Sequence, residues 1–302
     1  MSAPINAVVA LDEDSLPTLF RDADRGARDA EQRLLFLTAV LLIGSVVAAT
    51  FGVLSFEHGG HEYAAAGSLV GLGIGLIATL VLAITNPTKR WYDLRALAES
   101  VKSLSLLYAV AGGDFGHGKR TDHDARADFA TRLAELREQF GKRLKSPSDA
   151  PSAITDGMTS LRGQPLATRR STYLERRLRE QKAWYTRRSN DHARSRTRWL
   201  IISGASQAAG LVFAALRLWE VVHVDLAVVA ATVAVAAAAW LRTNDHAGIA
   251  EAYVQTAHEL GEIEATIGDP EDEDEWAAWV GSAETSMSRE HTSWLARRRT
   301  LV

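Results

Sequence analysis

The stretch 34-LLFLTAVLLIGSVVAATFGVLSF-56 decides the fold: it runs 23 residues without a charge. A bilayer core is crossed by a helix of about 20 mostly apolar residues. A second such stretch, 64-AAAGSLVGLGIGLIATLVLAIT-85, follows the short loop Glu57–Tyr63, which has no lysine or arginine. The arrangement returns in the second half as Trp199–Leu218 and Val224–Leu241, divided by Trp219, Glu220 and the stretch to His223. Each pair is flanked by arginine-rich helical sequence. The chain therefore reads as a duplicated membrane hairpin and not as a soluble enzyme.

Bulk composition conceals this pattern. The 302 residues carry a net charge of −3 and a mean hydropathy of −0.07, because polar helices dilute the apolar stretches. With 0 cysteines, disulfides, thiolate metal sites and sulfur redox chemistry are excluded. Met1–Ala10 lacks a basic region and precedes Asp12-Glu13-Asp14, so no secretory signal is expected and the hairpins must direct insertion. Arg21, Arg25, Arg28 and Arg33 stand before the first hairpin, and Lys89, Arg90 and Arg95 after it. Arg187, Arg188, Arg194, Arg196 and Arg198 precede the second hairpin, and Arg242 follows it. By the positive-inside rule both termini and the middle segment are expected in the cytoplasm, with both short loops outside.

Helical periodicity organises the rest. Residues 1–20 are expected to be a flexible tail, and a polar helix from about Arg21 runs into the first span. Gly67, Gly71 and Gly75 recur at every fourth position of the second span, which suits close helix packing within the hairpin or between subunits. Asn86-Pro87 ends that span. Trp91, Leu94, Ala98, Val101, Leu104 and Tyr108 then form a helical stripe, stopped by Gly112-Gly113. Phe129, Leu133, Leu136, Phe140 and Leu144 form another. The Pro-, Gly-, Ser- and Thr-rich segment 146–169 reads as a linker. A long polar helix over Ser171–Arg198 leads into the third span. Ile249, Tyr253, Leu260, Ile263 and Ile267 continue after the fourth, the acidic run Pro270–Glu275 interrupts, and Trp276, Val280, Ala283, Met287 and Trp294 mark a last helix. No strand-like alternation is present. The predicted fold is an all-α membrane protein: two tandem two-span hairpins, four transmembrane helices with both termini inside, and cytoplasmic amphipathic helices. Its divisions are a tail at 1–20, a first hairpin unit at 21–145, the linker at 146–169 and a second hairpin unit at 170–302.

The second hairpin is richer in alanine and polar residues. Ser203 and Gln207 share a face one turn apart, suited to a water-facing stripe or an interhelical hydrogen bond. Arg217 and Asp225, near the outer span ends, are close enough across the loop to pair, to snorkel or to stand at a pore mouth. Ser203, Gln207, Arg217 and Asp225 are accordingly the candidate pore-lining residues. Asp114-Phe115-Gly116 matches a kinase magnesium triplet without any of its companions. His58, His61 and Glu62 lie in a glycine-containing loop that would hold a metal loosely, so no metal or cofactor is expected. Gly71-x-Gly73-x-Gly75 lies in an apolar span and is no phosphate loop. The arginines of 169–198, with Trp184-Tyr185 among them, suit anionic headgroups better than nucleic acid.

Arg90-Trp91-Tyr92-Asp93-Leu94-Arg95-Ala96-Leu97-Ala98-Glu99-Ser100-Val101-Lys102, just after the first hairpin, resembles a bacterial two-span family, the SLATT superfamily of effector domains associating with SMODS and SLOG proteins. Tyr173-Leu174, Arg177-Leu178 and Gln181-Lys182-Ala183-Trp184-Tyr185 resemble it in the second half, and Ser288-Arg289-Glu290-His291-Thr292-Ser293-Trp294 resembles the closing motif of its tandem members. The sequence departs from the pattern at Leu106-Leu107, where an aromatic-basic pair is expected, and at Asp114-Phe115, which lacks the usual proline. No nucleophile–base or metal-ligand set converges in the sequence, so no enzymatic activity is expected. The resemblance implies an inner-membrane effector of bacterial immunity that perforates the membrane on activation. Trp91, Tyr92, Arg95, Glu99, Ser100, Lys102, Trp184, Tyr185, Arg289, Glu290, His291 and Trp294 are its motif positions here. Expected partners are the lipid bilayer, further copies of the chain, and a cytoplasmic activator protein or nucleotide-sensing partner. A non-conducting scaffold that recruits a cytoplasmic protein is the alternative.

Overall fold

The first and third apolar runs are continuous with the polar segments that precede them, each in one long helix. The computed structural model describes residues 15–54, 57–58, 61–140, 144, 153–266, 270 and 272–299, with side chains except at 57, 58, 61, 62 and 288–299. Helix α1 (Thr18–Val53) runs unbroken from the polar segment through the first span, since it contains neither proline nor a glycine pair to interrupt it. It is followed by α2 (Tyr63–Thr85), α3 (Pro87–Ala109), α4 (Asp122–Phe140), α5 (Asp156–Arg162) and α6 (Leu166–Tyr173). A π-helical turn (Leu174–Arg179) joins α6 to α7 (Glu180–Leu218), and α8 (Leu226–Asn244), α9 (His246–Thr266) and α10 (Glu273–Arg299) complete the order. Four helices are long and apolar enough to cross a membrane. The protein is an all-α membrane protein. Its only strands among the described residues are two-residue ones in the first hairpin loop, where Glu57 pairs with Glu62 and His58 with His61. Two residues are too few for alternation to register in sequence.

The chain forms two compact units that cut across the duplication. One comprises 1–30, 88–187 and 252–302; the other comprises 31–87 and 188–251. The sequential hairpin units expected at 21–145 and 170–302 each contribute to both: the polar parts of both repeats share one compact unit and the apolar parts the other.

In the polar unit, large apolar side chains point inward. Leu97, Val101, Tyr108, Phe115, Phe129, Met158, Leu161, Tyr173, Leu178, Leu260 and Trp276 belong to one buried cluster. Two sequence expectations are corrected here. Leu16, Leu19 and Phe20 are buried in this core, so from Ser15 onward the segment expected to be a tail is packed. The expected linker contains α5 and α6, because Thr155 caps α5 by accepting a hydrogen bond from the Met158 amide, and Met158 and Leu161 are wholly buried. Composition suggested a loop, but two apolar anchors and a cap overrode it.

In the apolar unit the pattern is reversed. Leu69, Leu72, Leu76, Ile77, Leu80 and Ile84 of α2 face outward, as do Ile201, Leu211 and Val212 of α7 and Val235 of α8. A buried soluble hairpin would hide them. Its helix contacts use small and hydroxyl residues instead, as lipid-immersed packing requires. A Cβ on Gly71 would lie 2.7 Å from the Gly44 carbonyl oxygen and 2.8 Å from the Ala48 nitrogen. One on Gly67 would meet the Phe51 ring at 2.5 Å, and one on Gly75 the Leu41 methyl at 3.6 Å and carbonyl oxygen at 3.8 Å. These glycines therefore set the approach of α1 and α2 within the hairpin, and Ser68 Oγ donates to the Ala48 carbonyl across the same seam at 3.1 Å. Spans α2 and α8 both end at one left-handed residue, Asn86 (φ 38°) and Asp245 (φ 45°), side chains that tolerate that region. The duplication is visible in this shared joint.

Replacing Gly71 with valine should cost about 1–3 kcal/mol through overpacking, read as lower thermal stability in detergent. Gly73→Val should be tolerated, since nothing lies within 4 Å of the Cβ it would gain. Equal losses at both positions would contradict this packing.

Candidate functional site

The motif residues of the two halves meet within the polar unit. On α3, Trp91 stacks on Tyr92 with ring centroids 4.9 Å apart, and Tyr92 is buried. One turn later Arg95 donates to Glu99 at 2.6 Å and reaches Asp24 of α1 at 3.5 Å. Asp24 in turn pairs with Arg28. From the second half, Trp184 and Tyr185 of α7 pack against Tyr253 of α9 at 5.5 Å and 5.2 Å. The two sets touch electrostatically. Glu99 holds the Arg95 pKa above its ordinary value, aided by Tyr185, Asp24 and Tyr253. Burial pushes the Tyr185 hydroxyl up, and Glu99 adds to the shift. Ser100 is exposed and Lys102 half-buried. Arg289, Glu290, His291 and Trp294 fall on the last turns of α10, outside the residues with described side chains.

A second polar centre lies in the same unit, and sequence reasoning missed most of it. Glu284 of α10 is 2% exposed. Its carboxylate accepts from Arg177 Nε at 2.9 Å and Nη2 at 2.8 Å, from the Tyr173 hydroxyl at 2.8 Å and from Ser103 Oγ at 2.6 Å. A bidentate guanidinium with two hydroxyl donors supplies the bonds a buried carboxylate needs. Burial opposes the Arg177 charge, but Glu284, with smaller contributions from Tyr173 and Glu99, raises the guanidinium pKa nonetheless. Tyr173 is pushed well above its ordinary value by burial and then by Glu284. Tyr173 and Arg177 belong to the second-half motif; Ser103 and Glu284 do not. Glu284 was findable, since it lies at a three- or four-residue step from Val280 and Met287 and so carries a charge into an apolar helix stripe.

Two further buried arginines close the helix ends. Arg169 donates to the Val110 carbonyl at 2.8 Å and pairs with Glu273, while Trp276 Nε1 donates to the same carbonyl at 2.8 Å. Arg162 donates from Nη1 to the Tyr108 and Phe115 carbonyls, each at 2.9 Å, and from Nε to Asp122 at 2.9 Å. Cationic donors hold carbonyls at and just beyond the end of α3, where the helix ladder runs out. Arginines from the expected linker thus have structural work in the polar core.

In the apolar unit the four candidate pore residues separate. Ser203 is buried and its Oγ donates to the Ala234 carbonyl of α8 at 3.2 Å. Arg217 pairs with Asp225 at 2.8 Å across the second hairpin loop, both half-exposed. Gln207 bonds Ser203 weakly at 3.4 Å, and the residue is exposed. Beside it Gly204 has nothing within 4 Å of where a Cβ would sit. Among the described residues no group of three or more His, Cys, Asp or Glu is placed to hold a metal ion.

Paired two-span hairpins joined to a polar helical core define a tandem two-transmembrane protein. Residues 17–170 match the family model "SMODS and SLOG-associating 2TM effector domain 3", and residues 173–294 match "SMODS and SLOG-associating 2TM effector domain 1". The chain belongs to the SLATT superfamily as a tandem of two such domains. No curated protein and no solved structure matches it.

Glu284→Gln should cost about 3–5 kcal/mol, because Arg177 is left charged and buried, whereas Arg177→Met with Glu284→Leu should recover most of the loss. Tyr173 has a folded pKa raised above the unfolded value near 10. Its contribution to stability is therefore complete below about pH 10 and lost as pH rises towards the folded value. Tyr173→Phe should flatten this alkaline loss, measured as the melting temperature against pH from about 9 to 11.

Proposed function

We propose that the chain is a pore-type effector of a bacterial immune or conflict system, assembled from several copies in the inner membrane. The polar helices and both termini then occupy the cytoplasm, where the arginine-rich ends of the spans belong by the positive-inside rule. Membership of a two-transmembrane effector family supports the effector role.

One observation carries the assembly and the pore. Gln207 is the ninth of the twenty residues Trp199–Leu218, and it is exposed on a span. An amide facing hydrocarbon with one weak bond loses several kcal/mol of hydration. Water in a pore or a neighbouring copy removes that cost. Gly204 keeps the adjacent face flat for such an approach. Four spans enclose little water, so conduction requires more than one copy. Ser203, turned into α8, supports the helix that presents Gln207. The Arg217–Asp225 pair would stand at the outer mouth. A cytoplasmic activator, protein or nucleotide-sensing, would act through the polar unit, where the Arg95, Glu99, Trp184 and Tyr185 cluster joins the two repeats.

The alternative is a non-conducting scaffold. The closed Arg217–Asp225 pair and the inward Ser203 favour it. The two readings separate in liposomes that hold the assembled chain, with cytosolic activator supplied. The pore reading expects potassium efflux, reduced on the order of tenfold by Gln207→Leu. Absence of efflux in every assembled and activated state would sink it. Cellular activity that survives Gln207→Leu but is lost on Glu99→Ala would favour the scaffold.

A further inference from the structure

The second hairpin carries a charged collar that neither the packing nor the proposed pore uses. Within the apolar unit, 31–87 contains one basic residue, Arg33, whereas 188–251 contains Arg188, Arg194, Arg196, Arg198, Arg217 and Arg242. Arg217 is taken by Asp225, and Arg194 lies 4.0 Å from Asp191. Arg196, Arg198 and Arg242 are exposed and form no ion pair among the described residues.

Two tryptophans mark the level at which they lie on the hairpin. Trp199 and Trp240 meet with ring centroids 5.8 Å apart, one from each span, and indoles favour the boundary between hydrocarbon and headgroups. Arg198 and Arg196 precede Trp199 by one and three residues, about 5 Å of helix at most. Arg242 follows Trp240 by two residues. The headgroup layer is about 5–8 Å thick on each side, so all three arginines are attached within that distance of the tryptophan level and their side chains can reach the phosphates. Positions 196 and 198 are on nearly opposite sides of α7, so the charges surround the hairpin and do not converge on one pocket. Guanidinium binds a phosphate diester by two parallel hydrogen bonds, and an arginine at a membrane surface gains about 1 kcal/mol from anionic lipid.

We propose that Arg196, Arg198 and Arg242 form a phospholipid collar that binds the phosphates of anionic lipids at the tryptophan-marked end of the second hairpin. This depends on the chain spanning a membrane and is independent of whether the assembly conducts. A nucleic acid is the poorer occupant, because the flanking indoles place these arginines at the lipid surface.

The test follows the melting temperature of the full chain in neutral detergent as dioleoylphosphatidylglycerol is added. A rise of about 4 °C or more is expected by mass action. It should shrink by at least half in about 0.3 M NaCl, where exposed charges are screened. Arg196→Gln, Arg198→Gln and Arg242→Gln together should abolish most of the rise without altering the starting temperature. The three lysine replacements should keep part of it. Arg188→Gln, ten residues from Arg198 or about 15 Å along the same helix, should keep all of it. An equal rise with phosphatidylcholine, with inorganic phosphate or with a single-stranded RNA oligonucleotide would overturn the proposal. So would a triple glutamine variant that responds as the original chain does.

Discussion

Hydrocarbon supplies no hydrogen bonds, and that constraint orders the whole molecule. Where the spans run, backbone groups are satisfied within each helix, and several side-chain hydroxyls bond back one turn or cross to a neighbouring carbonyl. Ser45, Thr50, Thr79 and Thr232 take the first route; Ser68 and Ser203 take the second. With apolar side chains left to face lipid, helix contact depends on small residues such as Gly44 and Gly71. The helices of the polar unit obey the opposite rule, hiding Trp276, Tyr108 and Phe129 from water.

The polar unit nevertheless buries several charges, and Glu284 among them is held by several partners. Glu284 takes four hydrogen bonds, from α3, α6 and the π-helical turn. Because those donors come from both repeats, the carboxylate ties the duplicated halves together. A well-packed apolar substitute could be as stable; the charged version fixes which groups must meet. It neighbours the Arg95, Glu99 and Tyr185 cluster electrostatically, since Glu99 raises the pKa of Arg177 as well. A signal that shifts one helix of the unit therefore acts on a connected set of charges.

Much of this was legible in the sequence. The apolar runs located the spans to within a few residues: Leu34–Phe56 against a helix ending at Val53, and Ala64–Thr85 against Tyr63–Thr85. Length and uninterrupted apolarity suffice for that. The grouping of polar parts was not legible, because neighbours in space such as Ser103 and Glu284 are 181 residues apart in sequence. Helices α5 and α6 were hidden by Pro, Gly, Ser and Thr, residues that favour turns but also cap short helices. Arg169 fell in a cluster read as suited to anionic headgroups, and nothing in the local sequence of Arg162 or Arg169 shows the carbonyls that receive them. At the candidate pore, sequence placed Ser203 and Gln207 on one face, but only the structure shows Ser203 turned to α8 and Gln207 left outside.

The exposure of Gln207 is the observation on which the functional account turns. Because the chain has no cysteine, Gln207→Cys introduces a single thiol at that position. Oxidative cross-linking of this variant in intact membranes should give covalent dimers, while Leu72→Cys, on a lipid-facing side of α2, should not. Cross-linking at position 72 with none at position 207 would contradict the proposed assembly.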